Sequence, residues 1–194
     1  MKNRLVVFCT IAALTMFIMA CITTPASTPA ASVQAVDTNA ALQEFIDEGF
    51  QAISINRSMV SSNVLPWENP VGVGTDAHAW FAFDGSTDTI WDPYGDVDPG
   101  TSGLWVLVDL GEGNEQAVSL IRFMPRGHLP ERMSGAVFQG SVDGQTWVDL
   151  YNITSTPPIG WNNIAIDNDT PYRFYRYYAE IAGDVVLIEY WVQG

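Results

Sequence analysis

Lysine is absent after Lys2, and the only cysteines are Cys9 and Cys21. These two shortages remove whole classes of chemistry. No Schiff-base lysine remains beyond Lys2, and no cysteine nucleophile beyond Cys21. The chain also lacks a disulfide framework, so a core, a metal or both must supply its stability. Two histidines, His78 and His128, have no spacing that makes a zinc pair, and neither a Gly-x-Ser-x-Gly nor a Ser-x-x-Lys nucleophile pattern occurs. Acid pairs such as Asp96 and Asp98 do not define a glycosidase, because two carboxylates facing each other across a cleft cannot be read from a chain with 22 acids. The residues therefore point away from an enzyme.

Long apolar runs are equally scarce. The opening MKNRLVVFCTIAALTMFIMAC places two basic residues before an apolar run of about 16 residues, short for a membrane-spanning helix and laid out like an export leader. Its end, Ile18-Met19-Ala20-Cys21, resembles a bacterial lipobox, in which Cys21 becomes the lipidated first residue; simple cleavage near Ala20 is the alternative. The expectation is an exported cell-envelope lipoprotein, or a secreted protein, that meets the membrane only through an N-terminal lipid. All the acids follow residue 21, where they face six arginines, so that part carries a formal charge of −16. Nucleic acid and anionic lipid surfaces bind through Lys and Arg and are excluded as partners.

Residues 22–37 are rich in Ala, Ser, Thr and Pro without periodicity, which predicts an extended tether. Leu42, Phe45, Ile46 and Phe50 then recur at helical spacing and predict a short helix over 38–52. From residue 53 to 194 the texture is strands and turns. LWVLVDLG (104–111) reads as a strand buried on both faces or nearly so, and SLIRFMP (119–125) alternates, with Leu120, Arg122 and Met124 opposite Ile121 and Phe123. Two strands flank Asp143-Gly144, a strong hairpin signal, and YRFYRYYAEI and VVLIEYWV complete the set. Many short strands with little helix predict an all-β sandwich or barrel of about eight strands.

The segments AFDGSTDTIW, WVLVDLG, IRFMPR, FQGSVDGQTW, YRFYRYY and LIEYW stand in the order and spacing of the coagulation factor 5/8 type C, or discoidin, domain. The chain resembles that family over residues 53–194, and within it the family 32 carbohydrate-binding modules and the galactose oxidase N-terminal domain. The resemblance implies a jelly-roll β-sandwich with adjacent termini. It also implies a structural Ca2+ held by main-chain oxygens of Phe81, Ser86 and Ile188, the carboxylates of Asp84 and Glu189, and Thr89. The residue chemistry agrees, since calcium takes six to eight hard oxygen ligands. A hand-type loop is excluded, because Thr89 and Gly95 stand where it needs Gly and Glu.

In the family the ligand lies at the loop end of the sandwich. The positions matching those loops hold Trp67, His78 and Trp80, then Asp92 and Tyr94, then Arg126 and His128, and finally Trp161. Arg126 matches an arginine of several sugar-binding relatives, and its planar fork suits paired hydroxyls. Asp92 replaces the His that galactose binders carry after the Trp, so galactose itself is not implied. Trp80 and Trp91 read as core, Trp67 and Trp161 as core or platform, and Arg173 and Arg176 as structural. The implied function is a non-catalytic, lectin-like module for a neutral or weakly charged glycan. The alternative is a protein-interaction or envelope-assembly module on the same fold.

Overall fold

A computed structural model describes residues 38–64, 75–93, 103–180 and 183–194, all within one compact unit, Val33–Gly194. Strands β1 (Phe50–Ala52), β9 (Val185–Gln193), β4 (Leu120–Pro125) and β7 (Asn162–Ala165) form one sheet in that order. Strands β2 (Val60–Ser62), β3 (Leu104–Asp109), β8 (Phe174–Ala179), β5 (Val137–Ser141) and β6 (Val148–Asn152) form the other. Every pairing between these strands is antiparallel. The chain is thus the expected all-β sandwich, with nine strands among the described residues instead of about eight.

Alternation decides which side chains fill the space between the sheets. On β4, Ile121 and Phe123 point inward, and on β8 Tyr175, Tyr177 and Ala179 do so. Phe138 of β5 sits at the centre, its ring centroid 5.2 Å from Tyr177 and 5.3 Å from Phe123. Burial of such large rings is the main driving force here, since each removes 150–250 Å² of surface from water. LWVLVDLG departs from the expectation: Leu104, Val106 and Val108 are buried, whereas Trp105 and Leu107 on the outer face are only half-buried. An open antiparallel sheet keeps one solvated face even when its sequence is apolar throughout.

Two further corrections concern the N-terminal part. Helix α1 spans Thr38–Asp47 and does not reach residue 52. Gly49, at φ 90°, ends it in a conformation that suits glycine, and Phe50 turns back to pack edge-on against Phe45 at 5.6 Å. Phe50–Ala52 is therefore strand, paired with Trp191–Gln193, and belongs to the sandwich. This pairing brings the two ends of the domain together, as expected; Gly194 N–H donates to the Gly49 carbonyl at 3.1 Å. In addition, residues 75–80 before the Asp-Gly turn form a short helix, α2 (Thr75–Trp80), which carries His78 into the interior. No described helix is long and apolar enough to cross a membrane.

Candidate functional site at the loop end

Strand register creates one polar cluster. Pro125 pairs with Val185, and Trp91 bridges Val185 through hydrogen bonds of 3.0 and 3.1 Å, so residues 92, 126 and 184 meet beyond the ends of β4 and β9. Arg126 Nη1 donates to Asp92 Oδ2 at 2.7 Å and to Asp184 Oδ2 at 2.9 Å. Arg132 Nη1, from the turn after β4, donates to the same Asp184 oxygen at 2.7 Å. Asp184 is fully buried, and two guanidinium partners are what make a buried carboxylate tolerable. These contacts raise the affinity of Arg126 for its proton, the hydrogen bond to Asp184 being the largest cause.

His78 supports the cluster from below. Its Nε2 accepts the Asp92 main-chain N–H at 3.0 Å, and its ring stacks on Trp91 with centroids 6.2 Å apart. Only 1% of the residue is exposed, and burial pulls its pKa down to about 4, against a smaller opposing effect of the Val64 main chain. The ring is therefore neutral at physiological pH, with its proton on Nδ1, since Nε2 acts as acceptor. Trp91, fully buried, donates from Nε1 to Ser62 Oγ at 3.0 Å. Trp91 is a core residue, as expected, and Trp80 is half-buried and packs against the core.

Two guanidiniums and two carboxylates leave this end locally balanced within a strongly acidic chain. Arg126 spends Nη1 on its carboxylates, and its Nη2 donors, on a side chain 23% exposed, make no bond among the described residues. Arg126 Nε, Asp184 Oδ1 and the Tyr177 hydroxyl are buried polar atoms without a partner among the described residues. The arrangement can hold a hydroxyl-rich ligand through a fixed donor fork. No general base stands beside a nucleophile among these residues.

The structure thus joins three of the expected ligand residues, His78, Asp92 and Arg126, and separates others. Trp161 lies on the outer face of the four-stranded sheet, 4.3 Å from the Arg122 guanidinium. His128 is exposed in the turn closed by Leu129 N–H on the Arg126 carbonyl at 3.0 Å. Trp67, Tyr94 and Cys21 lie outside the described residues. Asp184 and Arg132 were not legible as site residues; the only signal was a single acid just before an apolar strand.

The expected metal ligands divide into two groups. On the loop, Thr89 Oγ1 lies 2.9 and 2.8 Å from the two Asp84 oxygens and 3.2 Å from the Ser86 carbonyl. One hydroxyl proton cannot serve three acceptors, and such crowding of hard oxygens suits a cation. Phe81 closes α2, its N–H bonded to the His78 carbonyl, and Ile188 N–H donates to the Ala82 carbonyl at 2.7 Å, which ties the loop to β9. Glu189 is committed elsewhere: its Oε2 accepts Arg122 Nη1 at 2.6 Å and Trp191 Nε1 at 2.9 Å. No group of three or more His, Cys, Asp or Glu that could hold a metal occurs among the described residues. The loop half of the donor set fits a cation, and the carboxylate from the last strand serves as counter-ion to a buried arginine.

A family model, the NedA-like galactose-binding domain of F5/F8 type C, matches residues 81–177, half of the chain. The chain belongs to the F5/F8 type C family. This F5/F8 type C domain is similar to the CBM62 module of Xyl5A from Clostridium thermocellum, at 27% identity and TM-score 0.56 over 72% of this chain and 95% of that one. It also shares its fold with a fucolectin from striped bass (Morone saxatilis) serum, at 15% identity and TM-score 0.55 over 74% of this chain and 49% of that one. A third similar structure is the CBM32 of AlyQ in complex with 4,5-unsaturated mannuronic acid, at 14% identity and TM-score 0.50 over 72% of this chain and 97% of that one. These neighbours of the F5/F8 type C domain are carbohydrate-binding modules and a lectin. No curated protein matches the chain.

Proposed function

We propose that the chain is a non-catalytic carbohydrate-binding module that holds a neutral or weakly charged glycan at the loop end, with Arg126 as its principal ligand. One observation carries this reading: Arg126 is fixed by Asp92 and Asp184 through Nη1 while its Nη2 donors make no bond among the described residues. Rigid donors lose little entropy on binding hydroxyls, which is how a small site gains selectivity. The carbohydrate-binding neighbours support the ligand class. The protein-interaction alternative needs an apolar patch here, and the large apolar side chain exposed in the 153–161 connection is Ile159 alone, beside Gly127.

We also propose that Asp84, Ser86 and Thr89, with the Phe81 carbonyl, bind Ca2+ structurally. With a single carboxylate the affinity falls at the weak end of calcium modules, on the order of 10⁻⁴ to 10⁻³ M. The leader reading extends the proposal to an exported domain tethered by lipid on Cys21, with the tether keeping weak sites at high local density. Mass spectrometry of the mature N-terminus checks that part.

Calorimetric titration with galactose, N-acetylgalactosamine, glucose, mannose and fucose, with and without chelator, tests the binding reading. Saturable binding that Arg126→Ala weakens at least tenfold is the expected result. Silence across the panel, or binding that survives both Arg126→Ala and Asp92→Asn, would overturn it.

A further inference from the structure

The outer face of the five-stranded sheet carries a second built centre. Strand β8 is the middle strand, and its outward residues are Phe174, Arg176 and Tyr178. Arg176 faces Leu107 on β3 and Gln139 on β5 in register, so it stands in the middle of the face. Its guanidinium carbon lies 3.9 Å from the Trp147 ring centroid and 4.9 Å from that of Tyr178. Nε donates to Gln139 Oε1 at 2.7 Å, and Gln139 Nε2 donates in turn to Asp149 Oδ1 at 2.6 Å. Tyr178 is pinned as well: its ring lies so close over Gly103 that a Cβ there would sit 2.2 Å from it.

What this centre lacks is an acceptor. Among the described residues Arg176 has no carboxylate within ion-pair distance, while Arg122, Arg126, Arg132 and Arg173 each have at least one. Its Nη1 and Nη2 make no bond among the described residues, and burial disfavours its charge. A half-buried cation between two rings, held at Nε by an oriented amide, has its donor fork unspent and pointing away from the core. From Trp105 on β3 to Trp147 before β6 the face crosses three strand intervals, about 14 Å at the usual spacing, which suits a short oligosaccharide lying across the strands.

The chemistry of the occupant follows from charge. A formal −16 beyond residue 21, together with Asp149 beside the fork, disfavours a polyanion. The central row of Ser61, Leu107, Arg176, Gln139 and Asp149 is too polar for an apolar protein surface. Aromatic rings beside a fork of donors suit the apolar side and the hydroxyl pairs of a neutral sugar. We propose that this face is a second glycan-binding surface, separate from the loop end, where Trp147 and Tyr178 stack on a neutral oligosaccharide and Arg176 binds a pair of its hydroxyls.

The test is an NMR titration of the full chain with cellohexaose, whose equatorial hydroxyls leave flat apolar faces. The Trp147 indole and Arg176 Nε resonances report binding, and thermal melts confirm that each variant is folded. Saturable shifts at both resonances are expected. Arg176→Lys, which keeps the charge but not the fork, and Trp147→Ala should each weaken binding about tenfold, while Arg126→Ala leaves it unchanged. The proposal is overturned by an absence of shifts up to about 10 mM ligand, weaker than any useful single site. It is also overturned by shifts that Arg126→Ala abolishes, by unchanged affinity in folded Arg176→Lys and Trp147→Ala, or by tighter binding of an oligogalacturonate.

Discussion

Acidification should destabilise the fold through His78 at higher pH than through Asp109 or Asp143, the carboxylates whose pKa is lowered. The ring is 1% exposed, its Nε2 accepts the Asp92 N–H, and its pKa is lowered from 6.5 to about 4. In the unfolded chain the same histidine takes a proton below about pH 6.5. Between that pH and about 4 the unfolded state therefore binds one proton more than the native state, and stability falls with pH. At about 1.4 kcal/mol per unit the loss reaches about 3 kcal/mol near pH 4, and this contribution is nil above about pH 6.5. The carboxylates whose pKa is lowered, Asp109 by Arg173 and Asp143 by the Thr146 and Gln145 amides, act below the ordinary value of 3.8, outside this window.

Urea unfolding at about pH 7, 6 and 5 measures the slope directly. His78→Gln removes the titrating group while keeping an oxygen acceptor, so the variant starts less stable but loses less on acidification. Glycan binding by the folded domain should hold over this interval and weaken only near and below about pH 4, where the native His78 takes its proton, because an imidazolium cannot accept the Asp92 N–H and Asp92 holds Arg126. A flat wild-type profile between pH 6.5 and 5, or an unchanged slope in His78→Gln, would refute the reasoning.

Other consequences are open to measurement. Asp184→Ala leaves Arg126 and Arg132 facing each other without their shared carboxylate and should cost about 3–5 kcal/mol in urea unfolding; a loss under about 1 kcal/mol means the pairs are not buried as described. Phe138→Ala empties the aromatic centre of the sandwich and should cost about 3–5 kcal/mol by the same assay. Gly140→Ala places a Cβ 2.4 Å from the Tyr172 ring, and a destabilisation of about 1–3 kcal/mol, seen as a lower melting temperature, is expected. Calcium at millimolar levels, on the order of its weak-site affinity, should raise the melting temperature, and Asp84→Ala should abolish that rise.

Period-two alternation made the sandwich legible, because one buried face per strand dictates which residues of SLIRFMP and YRFYRYY point inward. It failed for Phe50–Ala52, where a helix-compatible spacing continued across Gly49 and only pairing with β9 decided the outcome. Arg126 and Asp92 were readable from motif position. Their mutual contact was not, since it depends on the Pro125–Val185 register, which brings a residue far away in sequence to within 2.9 Å. Trp161 shows the same limit: its Pro, Gly and Asn neighbours left core and platform equally open, and only the folded structure places it half-buried over Arg122. Glu189 was readable only by motif, as an implied metal ligand; that its Oε2 is the counter-ion of its cross-strand neighbour Arg122, 3% exposed, came from the strand register.

The distribution of arginine explains how a chain of such net charge can still select a ligand. Among the described residues, four of the six arginines following residue 21 are paired with carboxylates, and the pairs of Arg122, Arg126 and Arg132 involve groups largely or wholly removed from water. Positive charge is thus used for internal fixation, and the field that an approaching molecule meets is negative. Ligands cannot be drawn in by long-range attraction, and added salt changes little in buried pairs that screening hardly reaches. Recognition at the two proposed sites must therefore come from contact, through the Nη2 donors of Arg126 at the loop end and the fork of Arg176, unpaired among the described residues, on the sheet face. Both offer hydrogen bonds at short range and neither offers steering, a combination that favours an uncharged, hydroxyl-rich partner over an anion that would have to cross the protein's own field.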